Sequence, residues 1–275
     1  MSRNRDRTGV ETTPQQAEAP INQMMNNNDQ SFSFVIPTEF IELPSKGKFY
    51  PPGHPLHNQE VIEVKQMTAK EEDILTSRSL LKQGVAIDRV LQSIVMDPRV
   101  DVSSLLVGDR NAIIISCRVS GYGSEYTTKI TCPACDAKNE YTFDLNEAAI
   151  SSGELNNVTE NGDGTFNTVL PKSNLSVDFR LLTGRDEKFL TQGQTTKNKN
   201  KADRIITTQL RGMLVSVNDN DTAEALNYVA NNLPSMDSKY LREAYKNTQP
   251  NVDLTQNYQC DECDYQADME VPLTA

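Results

Sequence analysis

The chain has 275 residues, with 38 acidic side chains against 27 basic ones and a net charge of −11. That balance gives nucleic-acid binding no overall electrostatic support, and no apolar run approaches the roughly 18 residues needed to cross a bilayer. With 37% hydrophobic residues, 6% aromatic residues and no Trp, aliphatic cores are expected, in one large domain or two smaller ones. No secretory signal opens the chain, so it reads as soluble and intracellular, where thiols stay reduced.

Residues 1–30 are rich in Arg, Thr, Gln and Asn, with Met24-Met25 as the apolar pair. They bury too little surface to offset ordering entropy, and a disordered leader is expected, either dispensable or ordered on a partner. Folding should begin near Phe32–Ile36 and continue through Phe40–Pro44. Ser45–Lys48 and Pro51–Pro55 carry turn chemistry. His54 and His57, three apart in that second turn, are better read as surface residues than as metal ligands. Val61–Lys65 alternates like a strand, and Thr68 with Glu71 has the capping-box spacing of a helix start. Ile87, Val90, Leu91, Ile94 and Val95 mark one face of a second helix that stops at Asp97-Pro98. Asp109 is placed to cap a third, with Ala112, Ile113 and Cys117 facing inward. Taken alone, Ile113-Ile114-Ile115 reads equally well as a buried strand. A strand from Tyr126 to Thr131 leads into Cys132-Pro133-Ala134-Cys135.

The end of the chain repeats that stretch. Cys260-Asp261-Glu262-Cys263 lies 128 residues on, and the same offset carries Tyr141 onto Met269 and Phe143 onto Val271. Each copy is a Cys-x-x-Cys knuckle followed by an alternating strand. A redox pair normally opens a helix after a strand, which is not the pattern here. Cys132, Cys135, Cys260 and Cys263 are therefore assigned to one structural zinc. Four sulfur ligands leave no open position for substrate.

The likeness does not depend on the cysteines. After a polar connector at 146–165, Val177–Arg180 matches Ile62–Lys65 at an offset of 115, as do Thr183 with Thr68 and Asp203–Ile206 with Asp88–Leu91. Asp237 matches Asp109 at 128, so the second copy needs an insertion of 13 residues, which fits a short helix within 218–232. The expected fold is α+β, with two tandem repeats at 31–145 and 166–275 (strand, helices, strand, knuckle, strand) joined by a shared, zinc-ribbon-like site of four cysteines. The helical composition of 237–245 then favours helix for the Ile run as well. Lys197, Lys199 and Lys201 sit between two helices, either touching an acidic partner or phosphate, or forming a solvated linker.

There is no phosphate-binding Gly-rich loop, no His-Glu-x-x-His and no Gly-x-Ser-x-Gly. Nothing argues for an enzyme. Phe40–Tyr50 (FIELPSKGKFY), Met67–Thr76 (MTAKEEDILT), Leu106–Arg110 and Tyr122-Gly123 with the first knuckle resemble the baseplate hub subunit family of T4-like contractile-tailed bacteriophages. The likeness covers roughly 35–145 well and the second half more loosely. It implies a structural or assembly role in the tail baseplate, reached from the host cytoplasm. It also implies several copies in a symmetric assembly, with other hub or tail tube proteins as partners. The alternative is a zinc-ribbon nucleic-acid-binding or transcriptional adaptor. Asp136, Asp261, Glu262, Asp264 and Glu270 around the knuckles would repel phosphate and speak against it.

Overall fold

The computed structural model describes residues 35–195 and 205–272. The expected leader at 1–30, the start of the first strand at 32–34 and the Lys-rich stretch at 197–201 lie outside the described residues.

Strand β1 (Thr38–Glu42) pairs antiparallel with β2 (Val61–Lys65), Ile41 opposite Ile62. Alternation puts Ile41, Ile62 and Val64 into the core, while Glu42 stays exposed. Between them the chain folds into a long turn. There Gly47 adopts φ +71° so close to Leu56 and Gln59 that a Cβ would overlap their backbone. His54 Nδ1 accepts from the Leu56 N–H, its ring stacks on Tyr50 at 4.3 Å, and its Nε2 lies 2.9 Å from the Ser104 hydroxyl. His57 Nδ1 lies 2.6 Å from the Tyr50 carbonyl. Both histidines thus serve the turn itself.

Helix α1 (Ala69–Thr76) opens on the expected capping box. Its Glu71 side chain is fully buried and accepts from the Thr68 N–H and hydroxyl, the Ser93 hydroxyl and Lys65 Nζ. Helix α2 (Arg78–Gln83) ends on Gly84 in the left-handed conformation (φ 66°). Helix α3 (Ala86–Ile94) buries Val90, Leu91 and Ile94. Helix α4 (Val107–Tyr122) takes in the Ile run. Asp109 does not cap it, contrary to expectation. It lies in the first turn, buried, and accepts from the Ser45 N–H (2.9 Å), the Ser45 hydroxyl (2.6 Å) and the Tyr50 hydroxyl (2.8 Å). A carboxylate that far from water needs several donors, and the turn after β1 supplies them.

Strands β3 (Glu125–Thr131) and β4 (Lys138–Asp144) form a hairpin, followed by β5 (Ala149–Ser151). Next comes a four-stranded antiparallel sheet of β6 (Thr159–Glu160), β7 (Thr165–Val169), β8 (Ser176–Arg180) and β9 (Leu214–Val217), in spatial order 6-7-8-9. Helices α5 (Gly184–Thr195) and α6 (Ile205–Met213) intervene before β9. The expected extra helix is α7 (Ala223–Asn232), and α8 (Ser235–Thr248) follows. Strand β10 (Asn251–Asp253) crosses back to pair with β5, and β11 (Thr255–Gln259) with β12 (Gln266–Glu270) makes the last hairpin. Within 146–165, read as a polar connector, the chain therefore forms β5, β6 and the first residue of β7.

Several bonds of the first half have counterparts in the second. Leu43 N–H donates to the Glu60 carbonyl, and Leu170 N–H to that of Leu175. Ser45 N–H binds Asp109, and Lys172 N–H binds the equally buried Asp237. Thr68 and Glu71, paired with Lys65, correspond to Thr183 and Asp186, paired with Arg180. The two halves also share one core. Ile62, Val64, Ile94 and Ile113 belong to the same buried cluster as Phe166, Phe179, Leu210 and Leu241. Leu106 and Thr183 bridge as isolated β partners, and Arg110 of α4 reaches Glu187 of α5 at 2.7 Å.

Candidate metal centre

Each knuckle is the turn of a hairpin. Cys132 N–H donates to the Ala137 carbonyl, and Cys260 N–H to that of Tyr265, the same bond 128 residues on. Thr127 faces Thr142 in the first hairpin and Thr255 faces Glu270 in the second, again one register at that offset. The first turn closes with Asp136 in the left-handed conformation (φ 56°), its N–H bonded to the Cys132 carbonyl.

A second, smaller core holds the hairpins together. Ile130, Phe143, Leu145, Leu254, Tyr258 and Val271 pack with Ile115 of α4. Tyr141 and Tyr258 meet edge to face at 5.1 Å, and the Tyr141 hydroxyl donates to the Asn257 carbonyl. The Gln256 side chain spans the seam: it accepts from the Asp144 N–H and donates to the Asp144 carbonyl. Cys132 and Cys260 are buried in this cluster, while Cys135 is exposed.

All four sequence-predicted ligands are brought to one point, their sulfurs within 4.8 Å of one another. Cys132 Sγ stands 3.9 Å from Cys263 Sγ, and Cys135 Sγ stands 3.8 Å from Cys260 Sγ, so each close pair takes one sulfur from each hairpin. A tetrahedral ion with metal–sulfur bonds of about 2.3 Å sets sulfur–sulfur edges of about 3.8 Å, whereas a disulfide needs about 2.05 Å. The cysteines are unbridged, and the two close pairs match the edge of such a site, so the cluster could hold a metal ion.

Four crowded thiols cannot all ionise unaided. The Glu262 N–H holds the Cys260 thiol down to about 6. The Ala137 N–H favours ionisation at Cys135, but the Cys263 sulfur, desolvation and the Cys132 and Cys260 sulfurs together outweigh it and push it up to about 12. A cation among the sulfurs removes that conflict, because it favours every thiolate at once. Asn139 Nδ2 donates to Cys260 Sγ at 3.4 Å, an outer contact of the kind that steadies metal thiolates. Sequence reasoning missed Asn139, Gln256 and Tyr258. Tyr258 had a usable signal, since it matches the buried Ile130 at the cysteine offset; the other two have none. The fifth cysteine, Cys117, is buried in α4 and belongs to the main core, as expected.

The match to known proteins lies at the level of family. The family described as T4 bacteriophage base plate protein matches residues 36–273. No curated protein and no solved structure matches the chain.

Proposed function

Because the chain belongs to the T4 bacteriophage base plate protein family, and so has a structural place in the phage tail, we propose that it is a hub-associated subunit of a contractile tail baseplate. It works by binding other tail proteins around a structural zinc and not by catalysis. The observation that carries this reading is the family match, which spans both hairpins and the shared core. Zinc is the ion best suited to a closed set of four thiolates in a part with no redox task. Its role is to clip the two hairpins to each other, and a saturated ion offers no site for substrate.

We further propose that the chain arose by duplication, with repeats at 31–145 and 166–275. The support is the matched hairpin registers, the paired Ser45–Asp109 and Lys172–Asp237 bonds, and the two cation-braced helix starts at Thr68 and Thr183. The subunit meets hub or tube partners, in several copies, first in the host cytoplasm and then in the virion. Around the knuckles Asp136, Asp261, Glu262, Asp264 and Glu270 are all exposed, which leaves the nucleic-acid alternative without support. No helix among the described residues is long and apolar enough to cross a membrane.

The test is to delete the gene in the phage and view lysates by electron microscopy. Missing or incomplete baseplates beside normal heads are expected. Normal, infectious contractile tails would refute the assignment.

A further inference from the structure

An apolar cleft of about 530 Å³ runs along α4, walled by Leu75 of α1, Leu81 of α2 and Ile87 of α3. On the α4 side it is lined from Asn111 through Ile114 and Arg118 to Tyr122, one continuous helical face about 16 Å long. A smaller hollow of about 230 Å³ shares Asn111, Ile114 and Ile115 and extends the cleft toward Asn251 and Glu270. Leu81 and Tyr122 are 44% and 47% exposed, so apolar surface stands open on both walls.

The two ends of this cleft differ in charge. Arg110 is neutralised by Asp88 at 2.8 Å and Glu187 at 2.7 Å. Arg118 forms no ion pair among the described residues, and the Glu72 carboxylate near it accepts from the Tyr122 hydroxyl at 3.2 Å. The Arg118 guanidinium lies over the Tyr122 and Tyr126 rings, 5.0 and 5.8 Å from their centroids, and donates to the Gly123 carbonyl. In a chain with a net charge of −11, an arginine over tyrosine rings in an apolar groove, with no ion pair of its own, is available to an anion.

We propose that the cleft takes an amphipathic helix of another tail protein, about three turns long, apolar toward α4 and carrying an Asp or Glu that meets Arg118. Three turns match the open length of α4, and helix-in-groove docking uses apolar anchors at this spacing. Arg and Tyr at the end of an apolar groove are also the residue types that dominate binding energy at interfaces. A second copy of the chain is the poorer occupant, because it would bring the same excess of negative charge against this one. The inference rests on the proposal that the protein acts by binding tail proteins.

The experiment places a photo-crosslinking amino acid at Leu81 of the full chain in infected cells and identifies adducts in assembled tails by mass spectrometry. One helical segment of another tail protein is expected, apolar on one face and bearing an acidic residue. Arg118→Glu should cut that adduct at least about tenfold, Arg118→Gln less, with metal content unchanged in both and any fall in melting temperature shared by both, since each loses the same ring contacts and Gly123 bond. Replacing the partner's acid with Lys should restore the adduct to the Arg118→Glu chain. The inference falls if no adduct forms, if adducts join only two copies of this chain, or if Arg118→Glu leaves the yield unchanged. If the gene deletion still abolishes baseplates under any of those outcomes, the binding role stands and only this docking site is lost.

Discussion

Replacing Cys132 with Ser tests the metal clip most directly. The ion would join residues 132 and 260, a closed loop of 128 residues, and in the chain-entropy picture such a cross-link stabilises by about 5 kcal/mol. Apart from the ion, the hairpins are held face to face by a small apolar cluster, the Tyr141–Tyr258 ring contact and a few hydrogen bonds, from Tyr126, Asn139 and Tyr141 and between Gln256 and Asp144. For a chain of this size, about 5 kcal/mol corresponds to a fall in Tm of about 10–20 °C. The assay is thermal unfolding followed by circular dichroism, with zinc measured by elemental analysis on the same samples. Wild type should contain one zinc per chain and lose the same stability in a strong chelator. Cys132→Ser should lose both zinc and stability and should no longer respond to chelator. Cys117→Ser removes a buried thiol that is not a ligand, so it should keep its zinc whatever its Tm. If wild type melts within about 2 °C of its untreated value after complete chelation, the clip contributes nothing and the argument fails.

Other outcomes follow from the buried carboxylates and one close packing contact. Burial raises the Glu71 carboxyl, but the bonds from Thr68, Ser93 and Lys65 outweigh it and hold it down to about 2. Its stabilisation is complete above the ordinary Glu range and lost as pH falls from about 4.5 toward 2, and Glu71→Gln should flatten that acid limb by roughly 3 kcal/mol in urea titrations run across pH. Asp109 is raised by burial, so its charged form is the costly one. Asp109→Asn keeps one acceptor oxygen but turns an NH2 toward buried donors, so it should cost about 1–2 kcal/mol at neutral pH, while Asp109→Ala strands all three donors and should cost about 3 kcal/mol or more. His54 is lowered by burial and accepts from the Leu56 N–H as a neutral ring, so its stabilisation is present above pH about 6.5 and lost below it. His54→Gln should remove that pH dependence in NMR-monitored unfolding. A Cβ at Gly108 would overlap the Pro250 carbonyl, so Gly108→Ala should cost about 1–3 kcal/mol by denaturant melt and loosen the approach of β10 to α4.

The clustering of the four cysteines was legible in the sequence because its signal is local. Two residues between cysteines, followed by alternating Tyr141, Phe143 and Leu145, spell out a knuckle and a strand within a dozen positions. The capping box at Thr68 and the apolar face of α3 were readable for the same reason. The pairing of β5 with β10 was not. Ala149–Ser151 and Asn251–Asp253 are three residues each, too short to show a period, and they meet from about 100 residues apart, with β10 packed against Gly108 of α4. Asp109 shows the other kind of miss. An acidic residue at a helix start reads as a cap, and nothing within ten residues reveals that its donors come from Ser45 and Tyr50. Its counterpart was available all the same. Leu43-Pro44-Ser45 and Leu170-Pro171-Lys172 are similar tripeptides 127 residues apart, and each offers a backbone N–H to a buried aspartate, Asp109 or Asp237.

That the four sulfurs come from turns so far apart in the chain bears on how the protein is made. A ribosome adding about 5–20 residues per second delivers the second knuckle roughly 6–25 s after the first. For that interval Cys132 and Cys135 supply two of the four thiols of the proposed site. Where many ribosomes work close together, as in an infected cell late in its cycle, the nearest matching half belongs to a neighbouring nascent chain. An ion bound there, as proposed above, would then tie two subunits together in a swapped pair. Zinc supplied after release from the ribosome should favour the monomer, and zinc in excess during synthesis should favour the pair.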